Sequence, residues 1–256
     1  MDKRYYLDYY EAERKHWFFK SRNAIILQHI SSLFDEGAAD LKILNVGVAT
    51  GHTSELLNEI GEVTSLEFDD DCCAFLNEEL PKLEVVQGSV LELPFDDNSF
   101  DLVCAFDVIE HVEDDTLAAD ELKRVCSPNG HVVLTVPAFM SLWSQHDDIN
   151  HHFRRYRKGR IKSLLSEGGK TNYLTYFNFF LFPPVFVFRR LSSLLRGSKT
   201  ASTETAGSDL DHFKGDSLIS RCLYRILLSE KLLVSWRLVL PFGVSILASW
   251  KKESER

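Results

Sequence analysis

The amino-acid sequence predicts an α/β protein built on a doubly wound, mostly parallel sheet, and three observations predict it. Short apolar strands alternate with helical segments five times between Lys42 and Val136, the pattern of successive βαβ units. The fourth strand, Ser99–Phe106 (SFDLVCAF), carries a continuous apolar run after Asp101, as suits a sheet covered on both faces. The first strand, Lys42–Val46, enters a turn of small residues, Gly47-Val48-Ala49-Thr50-Gly51, and the next strand, Val63–Phe68, delivers Glu67 at its carboxyl end. A small-residue turn lets backbone N–H groups approach a ligand, and a carboxylate roughly twenty residues on can accept ribose hydroxyls. A nucleoside cofactor fits this pair, although such turns also occur in α/β proteins that bind no nucleotide.

The elements follow in order. Tyr5–Ile30 reads as one amphipathic helix, with Trp17, Phe18 and Phe19 ahead of the apolar stripe Ile25, Ile26, His29, Ile30. Helices are predicted over His52–Ile60 and Asp69–Leu80, the second ended by Pro81, and a third strand over Leu83–Gln87. After strand four come a helix at Asp115–Cys126, the turn Ser127-Pro128-Asn129-Gly130 and strand five at His131–Val136, closed by Pro137. A helix ending at Gly168-Gly169 precedes a sixth strand at Asn172–Asn178, and Phe242–Lys251 fits a last strand. Between these two lie the run Phe179–Phe188, interrupted by Pro183-Pro184, a Gly/Ser/Thr-rich linker at Gly197–Ser208 whose composition leads to an expectation of mobility, and a helix near Ser217–Trp236. The apolar run is too short and broken to span a bilayer, but it could cap a pocket or rest in a membrane interface.

A chain of 256 residues, 45% of them hydrophobic, can bury one sizeable core. Its net charge of −9 argues against a nucleic-acid partner held by a broad basic surface. Five cysteines without metal-ligand spacing read as reduced thiols, and the charged, aromatic N-terminus lacks a secretory core. The expectation is a cytoplasmic protein.

The turn separates two cofactor classes. A dinucleotide site needs a third small residue where this chain has His52, which disfavours an NAD-type oxidoreductase, as does the lack of a Tyr-x-x-x-Lys pair. Asn45-Val46-Gly47-Val48-Ala49-Thr50-Gly51 instead resembles motif I of the class I S-adenosylmethionine (SAM)-dependent methyltransferases, with Asn45 for the acidic residue and Ala49 for the middle glycine. Gly88-Ser89-Val90-Leu91-Glu92-Leu93-Pro94-Phe95 resembles the family's Gly-Asp-x-x-x-Leu-Pro-Phe loop, with Ser89 replacing the Asp. Asp107-Val108-Ile109-Glu110-His111-Val112 resembles the segment after strand four in methyltransferases of the ubiquinone-biosynthesis and small-molecule type, and Ser127–Gly130 the Lys-Pro-Gly-Gly turn. His16–Arg22 resembles a His-Trp-Trp-Phe-x-x-Arg lid of bacterial methyltransferases associated with cell-surface glycan assembly, and Trp143–Tyr156 a Trp-Ser-x-His-Asp…His-x-Arg-Arg-Tyr pattern.

The resemblance implies a seven-stranded Rossmann-like sheet with an antiparallel last strand, in one domain spanning 1–256. A helical lid would occupy 1–35, the core 36–178 and 242–252, and an insertion or cap 179–241. It implies SAM as cofactor, with S-adenosylhomocysteine as product. The cofactor would be held by Trp17 (or Phe18), Arg22, Asn45, Gly47, Ala49, Gly51, Glu67, Phe68, Ser89, Val90, Phe106 and His111. Base candidates are His146, His151 and His152, since imidazole titrates near neutral pH. Trp143, Arg154, Arg155 and Tyr156 would meet the acceptor. No metal is expected, because methyl transfer needs none. The basic run Arg154, Arg155, Arg157, Lys158, Arg160 and the neighbouring apolar insertion suggest a lipid- or nucleotide-linked sugar acceptor at the inner face of the membrane. A rival reading, from Asn45, Ala49 and Ser89, is a SAM-binding protein without turnover.

Overall fold

The computed structural model describes residues 3–34, 40–196 and 217–254. Its strands are β1 (Leu41–Val46), β2 (Gly61–Glu67), β3 (Glu84–Gln87), β4 (Phe100–Phe106), β5 (Cys126–Pro137), β6 (Gly169–Phe177) and β7 (Ser245–Lys252). They form one seven-stranded sheet in the order β3-β2-β1-β4-β5-β7-β6. β1 to β5 are paired in parallel, and β7 inserts antiparallel between β5 and β6. The predicted sheet and its antiparallel last strand are therefore present. The linker expected at Gly197–Ser208 lies outside the described residues.

Alternation along each strand sends side chains to two helical layers. In β4, Leu102 and Cys104 join the core under α2 (Trp17–Ser31) and α9 (Leu218–Ser235). Val103 and Ala105 join the core under α5 (Asp115–Val125) and α7 (Lys158–Leu164). Helix starts follow local chemistry: Asp69 caps α4 (Asp70–Glu79) by accepting from the Cys72 N–H, and Asp114 caps α5 by accepting from Thr116 and Leu117.

Three local expectations are corrected. The stretch Tyr5–Ile30 is two helices, α1 (Lys3–Lys15) and α2, because His16 takes an extended conformation and its ring Nδ1 accepts from the Phe18 N–H, 3.3 Å away. Pro183 and Pro184 do not interrupt structure. They sit in the first turn of α8 (Phe182–Arg196), where no helical N–H is lost. And α9 is no mere cap: it packs against α2, with Leu227 and Val234 buried in the same cluster as Leu102 and Leu247. Burial of one such side chain stabilises by about 1.5–3 kcal/mol, so the later half of the insertion is part of the core.

Candidate active site at the carboxyl ends of the strands

β1 ends in the turn predicted to approach a ligand. Gly47, Ala49 and Gly51 all take left-handed backbone conformations, at φ of 67°, 48° and 79°. A Cβ on Gly47 would lie 2.7 Å from Val108 Cγ2, and one on Gly51 2.8 Å from Leu80 Cδ1, so glycine is required there both by conformation and by space. The next helix, α3 (His52–Leu57), begins directly after this turn.

Glu67, the last residue of β2, reaches across to the turn. One carboxylate oxygen accepts from the Ala49 N–H at 3.0 Å, and the other from Phe68 at 2.8 Å and Asp69 at 3.2 Å. Three N–H donors leave part of the acceptor capacity of a carboxylate unused, enough for a hydroxyl. Beside it, Phe68 leaves 74% of its surface in solvent, an unusual state for a phenyl ring at a cleft. Ser89 accepts from the Leu91 N–H and braces its own loop, and Val90 is buried next to it.

Asn45 does not line this cleft. It is buried, and its amide donates to Thr53 and Ser54 in α3, so its role is to tie strand to helix. Trp17 is likewise buried in the α2–α9 core rather than poised as a lid residue. Arg22 does reach the cleft: it pairs with Asp107 at 2.6 Å, donates to Thr135 and lies 6.0 Å from the centre of the Phe106 ring. The part of the N-terminal region that covers the turn is α1. Tyr6 donates to Asp69 at 2.7 Å, Arg14 pairs with Glu55 at 2.5 Å, and the Thr50 hydroxyl donates to the buried Glu13, whose pKa burial raises.

The second half of the cleft is built from the turn after β4 and the segment after β5. Asp147, in the short helix α6 (Gln145–Ile149), is fully buried. It accepts from Arg155 Nε at 2.7 Å, pairs with His152 Nδ1 at 2.9 Å and accepts from the Ser144 N–H at 2.8 Å. Burial pushes its carboxyl up, but the His152 and Arg155 contacts outweigh burial and hold it well below the usual range. The His111 and His152 rings lie edge to face, 4.5 Å apart. His111 keeps an exposed edge, while the protein packed on its inner side, and His152 after that, lower its pKa. Glu110 is completely buried with its carboxyl unpartnered, and burial raises its pKa well above the ordinary value.

Of the three base candidates the fold packs one, His152, between His111 and the buried Asp147. His146 and His151 are exposed, and the His146 ring is 6.3 Å from that of His152. The basic run is also spent differently than expected. Arg154 and Arg160 pair with the buried Asp115, Arg155 is consumed by Asp147, and Lys158 donates to the Leu240 carbonyl. Tyr156 is buried, donating to the Ile109 carbonyl at 3.1 Å, so Arg155 and Tyr156 hold the cleft's wall instead of meeting an acceptor. Trp143 donates to Asp148 at 2.9 Å. Sequence reading includes Asp147 and Asp107 within its motifs but assigns neither a role; the structure makes them the partners of Arg155 and Arg22.

A cavity of about 260 Å³ lined by Lys42, Glu62, Thr64, Ser99 and Phe100 lies at the opposite, amino end of the strands, where α/β sheets do not bind ligands. The sheet order defines a doubly wound α/β fold, and the carboxylate-braced glycine turn at its carboxyl edge is an arrangement suited to a nucleoside. Residues 44–134 match the family described as methyltransferase domain. A "probable S-adenosylmethionine-dependent methyltransferase" of Mycolicibacterium smegmatis is 27% identical over 161 residues, covering 62% of this chain and 60% of that protein. Demethylmenaquinone methyltransferase of Staphylococcus aureus (strain MRSA252) is 32% identical over 117 residues, 41% of this chain and 48% of the relative. The chain thus spans about half to three fifths of the length of these curated relatives. Among solved structures, Haemonchus contortus phosphoethanolamine N-methyltransferase 2 in complex with SAM shares the fold at a TM-score of 0.56 and 15% identity, over 91% of this chain and 52% of that one. Geranyl diphosphate C-methyltransferase from Streptomyces coelicolor A3(2) does so at 0.58 and 11%, over 91% and 80%. The chain is thus similar to SAM-dependent methyltransferases over residues 44–134 and shares their fold, and the spare acceptor capacity of Glu67, the exposed Phe68 ring and the glycine turn fit that cofactor.

Proposed function

We propose that this chain transfers the methyl group of SAM to a small-molecule acceptor at oxygen or nitrogen. The observation that carries the reading is Glu67, whose carboxylate is anchored on the N–H groups of Ala49, Phe68 and Asp69 at the carboxyl end of β2. When bound, SAM supplies a sulfonium methyl whose carbon goes to the acceptor while the bonding pair stays on sulfur. The residues of the chain position and exclude water. Arg22 and α1 close the cofactor side. With Nδ1–H donating to Asp147, His152 keeps Nε2 free to take the proton of a hydroxyl or amine acceptor. Calorimetry tests the reading: Glu67→Ala weakens SAM binding at least tenfold, since each charge-assisted hydrogen bond contributes about 1.5–3 kcal/mol. Unchanged affinity in a folded variant would overturn it. Binding of SAM without turnover on any acceptor would favour the non-catalytic rival, and heat with NAD instead of SAM the oxidoreductase.

For the acceptor, we propose a molecule with an apolar or lipid-linked portion, met at the inner face of the membrane. Support comes from α8, which exposes Val187, Phe188 and Leu191, and from α9, which exposes Leu218, Ile219 and Ile226 beside Arg225. No helix among the described residues is long and apolar enough to cross a membrane. The names demethylmenaquinone methyltransferase and geranyl diphosphate C-methyltransferase agree with an apolar acceptor. A sugar phosphate held by the basic run is less well supported, because Arg154, Arg155 and Arg160 are already paired. Co-sedimentation with anionic liposomes, lost in the Val187→Asp/Phe188→Asp variant, is the expected result. An intact protein that stays in the supernatant and methylates a small neutral acceptor overturns it.

A further inference from the structure

We propose that Glu110, His111 and His152 bind a divalent first-row transition cation on the acceptor side of the cleft. One carboxylate oxygen and two imidazole nitrogens, one atom from each residue, lie within 4.8 Å of one another. In a tetrahedral zinc site, bond lengths of about 2.0–2.1 Å put ligand atoms about 3.3 Å apart. Small side-chain rotations cover the difference, and His111, with an exposed edge, is the residue free to make them.

Two further observations point to a ligand there. The first is Glu110. It is fully buried, and neither carboxylate oxygen has a hydrogen-bond partner. A buried carboxyl without a partner is costly, yet this one is held in place: the Phe153 N–H donates to its carbonyl at 2.8 Å, and Tyr156 donates to the preceding carbonyl. A cation bound to it would offset that cost. The second is the Asp147–His152 pair. A metal-binding imidazole characteristically gives its other N–H to a carboxylate, which fixes the tautomer and aims the free nitrogen. Asp147, itself held by Arg155 and Ser144, stands 2.9 Å from His152 Nδ1 and leaves Nε2 for the cation.

Two nitrogens and one oxygen suit zinc, manganese, iron or cobalt, whereas magnesium and calcium prefer all-oxygen sets. Three protein ligands leave coordination positions open. The inference rests on the methyltransferase reading, because the open positions would receive the acceptor's oxygen and lower the pKa of its hydroxyl, so that its proton passes to water and Nε2 of His152 serves as a ligand instead of the base. It departs from the sequence-based expectation of no metal, since the ligands come from the turn after β4 and the segment after β5 and carry no metal-binding spacing.

The test uses untagged full-length protein stripped with chelator, dialysed and titrated with Zn²⁺ and Co²⁺. One equivalent bound per chain, with cobalt d–d absorption bands, is expected. Glu110→Gln, which keeps the side chain's size, and His152→Ala each lower Zn²⁺ affinity at least tenfold. Glu67→Ala keeps the cation while losing SAM, so failure of the cation site and failure of the cofactor reading are separable. The proposal is overturned by absence of saturable binding, by Zn²⁺ affinity unchanged in folded Glu110→Gln and His152→Ala, or by equal competition from Mg²⁺. Should either variant not fold, the wild-type cobalt spectrum decides: no d–d bands means no site.

Discussion

The two halves of the cleft manage their polar groups in opposite ways. On the cofactor side, Glu67 leans on backbone N–H groups and remains partly open to solvent, so removing it exposes little that was buried. On the acceptor side, Asp147, Arg155 and Glu110 are taken out of water, and the charges of Asp147 and Arg155 are tolerable only because of each other. The difference teaches that the half proposed to hold the cofactor is laid on the edge of a stable sheet, while in the half proposed to meet the acceptor the candidate groups are also the ones that hold the fold.

The largest expected effect breaks that shared half. Asp147→Ala leaves Arg155 buried without its partner and should cost about 3–5 kcal/mol, measured by urea denaturation. Glu67→Ala should stay within about 1 kcal/mol of wild type by the same assay. Equal losses in the two variants would dissolve the distinction between the halves.

Next in size is an acid sensitivity. His29, buried against Tyr173 with both ring nitrogens unpartnered, has its pKa pushed down to about 4 by burial, with smaller contributions from Arg237 and His131. Because its folded pKa lies below the unfolded value, the unfolded chain takes up the proton first as pH falls below about 6.5. Stability should therefore drop by about 2 kcal/mol between pH 8 and pH 5 on this account. His29→Phe should flatten that slope. An unchanged pH slope in His29→Phe would show that other groups set the acid limb.

The smallest expected effect is on the cofactor side. Ala49 holds a left-handed φ of 48°, a strain of about 1–2 kcal/mol for a residue with a Cβ. Ala49→Gly relieves it, and the added freedom of the unfolded glycine offsets part of the gain. A net stabilisation of up to about 1 kcal/mol, with SAM affinity kept, should appear in melting and calorimetry. Destabilisation would mean that the Ala49 methyl makes contacts that outweigh the strain.

The residues themselves determined the sheet, the strand positions and the meeting of the glycine turn with Glu67. Alternating apolar periods specify strands and helices locally, and the glycine turn and Glu67 need only one βαβ unit to meet. Sequence also flagged His152, but as one of three equal candidates. Only the tertiary structure sets it apart from the other two, by burying Asp147 behind it and leaving His146 and His151 exposed. The basic run Arg154–Arg160 looked free although Asp147 stands only eight residues before Arg155, because charge patterning cannot show that Asp147 and the distant Asp115 are buried or which cation each will neutralise. The break at His16, the core packing of α9 and the isolation of Glu110 were likewise decided by long-range packing, since burial depends on what the rest of the chain places over a residue.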